Sequence, residues 1–97
     1  MANSYGEILT ARGGSYILNT NDAFTDDLVY AIHVLENTKF TTLETTDRNG
    51  FVTDVLADHI ANTSTAIKAG AMITPMNVEA PFSNIQLSEG SVTLVLK

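Results

Sequence analysis

Residues 81–97, PFSNIQLSEGSVTLVLK, decide the fold. PFSNIQL and SVTLVL are two alternating apolar runs joined by Ser88-Glu89-Gly90. Period-two alternation predicts strands, and a three-residue connection with glycine in the left-handed position predicts a hairpin. In the first run Phe82, Asn84 and Gln86 fall on one face and Ser83, Ile85 and Leu87 on the other. In the second, Val92, Leu94 and Leu96 point inward. The second run stops with the last residue of the sequence. The expectation is a terminal strand kept paired within the chain or between copies, because an open edge is a template for other chains. Phe82, Ile85, Leu87, Val92, Leu94 and Leu96 are the expected contact residues between copies.

Upstream, LVYAIHVL (28–35) is almost wholly apolar and predicts a strand covered on both faces. Its length also admits a buried helix, but Val29, Tyr30, Ile32 and Val34 favour a strand. Glu36-Asn37 reads as a turn and KFTTL (39–43) as the partner strand, giving a second hairpin. Asp47-Arg48-Asn49-Gly50 is a tight turn, since Asn-Gly supplies positive φ. In FVTDVLADHI (51–60), Val52, Val55, Leu56, His59 and Ile60 recur at helical spacing among poor helix formers, which predicts a helical turn or loop. Residues 66–68 and 71–74 flank Ala69-Gly70, and Pro75 and Pro81 suit strand starts or edges. Ser15–Leu18 is a short strand, followed by the turn-rich Asn19–Asp22. Residues 1–14 read as an irregular N-terminal arm with a Gly13-Gly14 hinge. The sum is one all-β domain over 1–97, an arm (1–14) and a β core (15–97), folded as a small antiparallel sandwich or barrel.

Composition narrows the partners. The chain has 97 residues and a net charge of −6, from eleven acids against five bases. Arg12, Lys39, Arg48, Lys68 and Lys97 are scattered singly, so neither nucleic acid nor an anionic membrane finds the basic cluster it needs. No apolar run approaches the roughly 20 residues of a membrane-spanning helix. The first residues, MANSYGEILTARGG, lack the basic and apolar regions of a signal peptide, which predicts synthesis in the cytoplasm and makes the Asn62-Thr63-Ser64 sequon a chance match. With no cysteine, neither disulfides nor thiolate metal sites contribute. A chain this short has a small core, and association between copies is a common supplement. Abundant threonine, as in TTLETT, suits neutral, half-buried sheet faces.

Reactive constellations are sparse. His33 sits inside an apolar strand and reads as a core or interface histidine. His59 follows Asp58 and lies near Asp54, a pattern that binds metal weakly at best, since a catalytic zinc needs three ligands. Asp22, Asp26 and Asp27 lack the spacing of a calcium loop, and in Asp47-x-Asn49-Gly50 the glycine comes too early. No Gly-x-Ser-x-Gly elbow, phosphate loop or dinucleotide fingerprint occurs. Tyr5, Tyr16 and Tyr30, spaced one per segment, read as core plugs rather than a stacking platform. No catalytic residue, metal ligand or cofactor is assigned.

Three segments, IKAGAMI (67–73), FSNIQLSEGSV (82–92) and LVYAIHVLENTKFTTLE (28–44), resemble small virion proteins of tailed bacteriophages. Those proteins carry I-x-A-G-x-x-I followed by F-S-x-I-x-L-x-S/E-G-x-V, and a strand, a short acidic turn and F-T-x-L upstream. The likeness covers most of 28–97, and it departs where Leu96 stands in place of a tyrosine before the terminal lysine. It implies an all-β, non-enzymatic structural protein of the virion, made in the host cytoplasm. The roles implied are capsid decoration (cement), or a head-fibre or tail component. It also implies a homo-oligomer, with a trimer favoured, bound to the major capsid protein or another virion protein. A small β-sandwich carbohydrate-binding module is the alternative from outside that family.

Overall fold

The computed structural model describes residues 14–96. The arm expected over residues 1–14 lies outside them except for Gly14, whose carbonyl accepts a hydrogen bond from Leu96 N at 3.0 Å. The strands are β1 (Ser15–Leu18), β2 (Val29–Val34), β3 (Lys39–Thr46), β4 (Val52–Asp54), β5 (Met72–Ile73), β6 (Phe82–Glu89) and β7 (Val92–Leu96). Among the described residues one short helix, α1 (Leu56–His59), follows β4. The chain is all-β. Its antiparallel sheet has the order β1-β7-β2-β6-β3-β4, with β5 on the side of β2.

That order corrects both expected hairpins. β6 does not pair with β7, nor β2 with β3. Instead β7 lies between β1 and β2, and β6 pairs along β3. The links Leu35–Thr38 and Gly90–Ser91 are therefore arches that carry the chain from one half of the sheet to the other. The two arches sit side by side: Val34 pairs with Val92 on one side of them, Lys39 with Glu89 on the other. Leu35 N donates to Ser91 O at 3.0 Å, and the buried Thr38 hydroxyl reaches Glu36 O (2.7 Å) and Ser91 O (3.3 Å). Ser91 Oγ donates to Glu36 Oε2 at 2.7 Å. Gly90 makes this contact geometrically possible. Its φ is +96°, and a Cβ there would lie 2.6 Å from both Asn37 O and Thr38 Cα.

The halves β1-β7-β2-β5 and β6-β3-β4 are joined by a single pair, Val29 with Phe82. Register irregularities fall on both strands next to it, between Val29 and Ala31 and between Asn84 and Phe82. Such bulges let a strand bend from one layer into the next and reset which face a side chain meets. Phe82 thereby joins Ile85 and Leu87 in the core, against the expected alternation that set it on the opposite face. Val29 is likewise brought alongside Ile32 and Val34. The sheet folds at this corner over a shared core: Leu18, Val29, Ile32, Val34, Val92 and Leu94 from one half meet Phe24, Phe40, Leu43, Phe82, Ile85 and Leu87 from the other.

The remaining segments seal edges. Residues 67–73 run antiparallel along 32–38, through Ile32 with Ile73, Val34 N to Ala71 O (2.9 Å) and Thr38 N to Ile67 O (2.9 Å). Phe24 exchanges two backbone hydrogen bonds with Ile85 (2.8 and 3.1 Å) and covers the other edge of β6. The turn at 47–50 forms as expected: Asp47 Oδ1 accepts from Asn49 N and Phe51 N, both at 2.9 Å, and Gly50 takes φ +83°. Residues 51–60, expected as a helical turn or loop, split into β4 and α1. Asp54 Oδ1 accepts Leu56 N at 3.0 Å and starts the helical turn.

Candidate functional site

The six expected contact residues are not a surface. Phe82, Ile85, Leu87, Val92 and Leu94 are buried in the chain's own core, and Leu96 packs half-buried against it. The alternation correctly marks a covered face, but the cover is the other half of the same sheet rather than a second copy.

Three of the six acids considered for metal binding, Asp27, Asp47 and Asp54, accept hydrogen bonds from the backbone. Asp47 and Asp54 organise the two turns just described, and Asp27 Oδ1 accepts Leu28 N at 2.9 Å. Among the described residues no three His, Asp or Glu side chains gather as a metal would need. His33, on β2, projects away from the core beside Thr93 and Met72. His59 ends α1 with its ring edge-on to Phe82, centroids 5.4 Å apart. Its Nε2 is buried without a partner. Burial lowers the imidazole pKa, partly opposed by the Asp58 carboxylate. Tyr16 packs on Phe24, with ring centroids 4.9 Å apart.

Among the described residues, two hollows bear on function. One, of about 450 Å³, is lined mainly by Ile60, Ala61, Ala66, Ile67, Ala71 and Ile73, together with His59. The other, about 240 Å³, lies between Tyr30, Asp47, Val78 and the Arg48–Glu79 ion pair (3.1 Å). Neither brings together a nucleophile, a base and an orienting group.

The outer faces of the two halves carry the clearest chemical signal, and they differ. On β3 and β6 polar side chains pair across the strands: Thr46 with Ser83 (2.7 Å), Asn84 with Glu44 (3.1 Å) and Thr42 with Gln86 (3.4 Å). On β1, β7, β2 and β5 the corresponding row is Ile17, Thr93, His33 and Met72. This second face was missed at the level of sequence. Its signal was available as four strand segments containing no Asp, Glu, Lys or Arg. Among the described residues no helix is long and apolar enough to cross a membrane. Comparison with protein-family models, curated proteins and solved structures returns no match.

Proposed function

We propose that the chain is a non-enzymatic structural protein of a bacteriophage particle, acting as a capsid decoration protein that assembles with its own kind and binds the shell. The observation that carries this reading is where the chain spends its polar groups. Asp27, Asp47 and Asp54 hold turns, Thr38, Ser91 and Glu36 bind the arches together, and Glu44 pairs across the sheet. Beside the exposed polar residues stand exposed large apolar side chains, among them Ile17, Phe51, Val52, Met72, Met76 and Val78. Apolar groups that adjoin one another on the surface, rather than scattered singly, suit contact with other proteins. The sequence likeness to small virion proteins points the same way. Mass spectrometry of gradient-purified particles from a lysate expressing the gene tests it. The protein is expected at a copy number commensurate with the capsid lattice, and its absence from particles refutes the reading. Antibody labelling of those particles separates shell from head fibre or tail.

A carbohydrate-binding module is the second reading. It draws on the cleft where Tyr30 adjoins Asp47, Arg48 and Glu79, an aromatic ring beside groups able to hydrogen-bond hydroxyls. Specific glycan binding that is lost in Tyr30→Ala supports it, and a blank glycan array removes it.

A further inference from the structure

β1 and β4 stand at the two ends of the sheet order, so among the described residues each is paired along one side only. The register of β4 decides which backbone groups it leaves open. Asp47 N donates to Phe51 O and Val55 N to Leu43 O, so the hydrogen-bonded partners along this ladder are Asp47 with Phe51, Thr45 with Thr53 and Leu43 with Val55. Val52 and Asp54 therefore turn their N–H and C=O groups away from β3, and no described residue pairs with them. Proline, lysine and bulges, which blunt natural sheet edges, are absent from this strand, and all of its residues are exposed. Charge marks the same edge. Asp54 lies directly opposite Glu44, and neither takes part in the ion pairs of the described residues, Lys39–Glu89 and Arg48–Glu79. Like charges placed opposite each other across two strands are unfavourable.

We infer that the open edge of β4 takes an extended segment of another protein as an added strand, one that sets a lysine or arginine opposite Asp54 and an uncharged side chain opposite Val52. The backbone fixes the partner's conformation: donors and acceptors alternating along a line are matched by another extended chain. The carboxylates fix its chemistry. A cation opposite Asp54 offsets the repulsion from Glu44, whereas an acid there adds to it. Val52, 53% exposed, gives the neighbouring position an apolar surface to cover. A second copy offers no such strand. Among the described residues its open edges are β1, SYIL, and β4, VTD, and neither contains a base. β4 on β4 would bring a second pair of carboxylates to the first. The inference rests on the reading of the chain as a protein that binds the shell, and names the strand that does so.

Titration of the isotope-labelled full chain with the peptide acetyl-Thr-Lys-Thr-Val-Thr-amide, followed by amide chemical shifts, tests it. Run antiparallel to β4, this peptide sets its lysine on Asp54 when its valine meets Val52. Saturable shifts are expected at Val52 and Asp54, and glutamate in place of the peptide's lysine should weaken binding about tenfold or more. Asp54→Asn keeps an acceptor for Leu56 N but removes the charge, and should weaken the lysine peptide severalfold. Val52→Pro deletes an outward N–H and leaves the ladder to β3 intact, and should weaken binding about tenfold or more. Ile17→Pro makes the same deletion on β1, whose N–H at this position also points outward because Gly14 and Leu96 are hydrogen-bonded, and should change nothing. Circular dichroism shows which variants are folded, and Asp54→Asn decides if Val52→Pro is not. The absence of saturable shifts at β4, or equal affinity for the lysine and glutamate peptides, overturns the inference. Gradient-purified particles that hold the wild type and Val52→Pro equally overturn the use of this edge on the shell. A wild type absent from particles while the peptide result holds overturns the virion reading and leaves the edge standing.

Discussion

Substituting Gly90 by alanine should destabilise the chain more than any other glycine-to-alanine change among the described residues. Two effects add. At φ +96° an alanine carries a backbone penalty of about 1–2 kcal/mol. Gly70, at φ +97° with nothing within 4 Å of an added Cβ, isolates that penalty. At Gly90 the Cβ also lands 2.6 Å from Asn37 O and Thr38 Cα, both backbone, so the arches must separate. Separation strains the hydrogen bonds that Ser91 O accepts from Leu35 N and Thr38 Oγ1, each worth about 1 kcal/mol. The total is about 3–4 kcal/mol, against about 5–15 kcal/mol for a domain of this size. At about 4–8 °C per kcal/mol, Gly90→Ala should lower the melting temperature by at least about 12 °C, roughly twice the loss in Gly70→Ala or more. Thermal and urea unfolding followed by circular dichroism measure both. Equal losses in the two variants would show that the arches do not press on each other and would refute the reasoning.

Further perturbations separate the parts of the structure. Thr38→Val keeps the shape but removes the hydroxyl between Glu36 O and Ser91 O, and should cost about 1–2 kcal/mol in urea unfolding; a neutral result would mean that the hydroxyl does not couple the arches. Phe82→Ala empties the corner where the halves join and should cost about 3–5 kcal/mol, whereas the exposed Phe51→Ala should fall within about 0.5 kcal/mol. Comparable losses at the two positions would argue against the layered core. Burial lowers the His59 pKa, so the unfolded chain takes up this proton at a higher pH than the folded one. The contribution is complete above the ordinary imidazole value of about 6.5 and is lost as pH falls through the lowered folded value. His59→Phe should therefore flatten the decline in urea midpoint between about pH 7 and about pH 5, and parallel profiles for both proteins would contradict the assignment.

Most elements were legible from sequence, and their pairing was not. Alternation and β-branched content located β2, β3, β6 and β7 to within a few residues, and Asp47 to Gly50 formed the turn its chemistry specified. What alternation reports is that one face is covered. It does not say whether the next strand lies beside the last or across from it. Ser88-Glu89-Gly90 has hairpin chemistry, but Gly90 is needed because Thr38, 52 positions away in sequence (90 − 38), presses against it. A contact of that separation leaves no local signature. The bulge near Ser83 was invisible for the same reason, so Phe82 was placed on the wrong face. The six residues taken for a contact surface, five of them core and Leu96 packed against it, share the origin of both errors, since a strand assumed to lie in a hairpin needs another body to cover it. The face without Asp, Glu, Lys or Arg was written in the sequence, but only the observed strand order assembles its four segments into one surface.

That face exists only if β7 leaves β6 and crosses to β2. Cross-strand nuclear Overhauser contacts in the isotope-labelled chain test this most directly. The account predicts backbone contacts between His33 and Thr93, Tyr16 and Leu94, and Leu43 and Ile85, the pairs that define the two halves. A continuous ladder joining Ile85–Leu87 to Val92–Leu94 through a hairpin at Gly90 would contradict it. The arches, the shared core and the sheet face without Asp, Glu, Lys or Arg would then fall together.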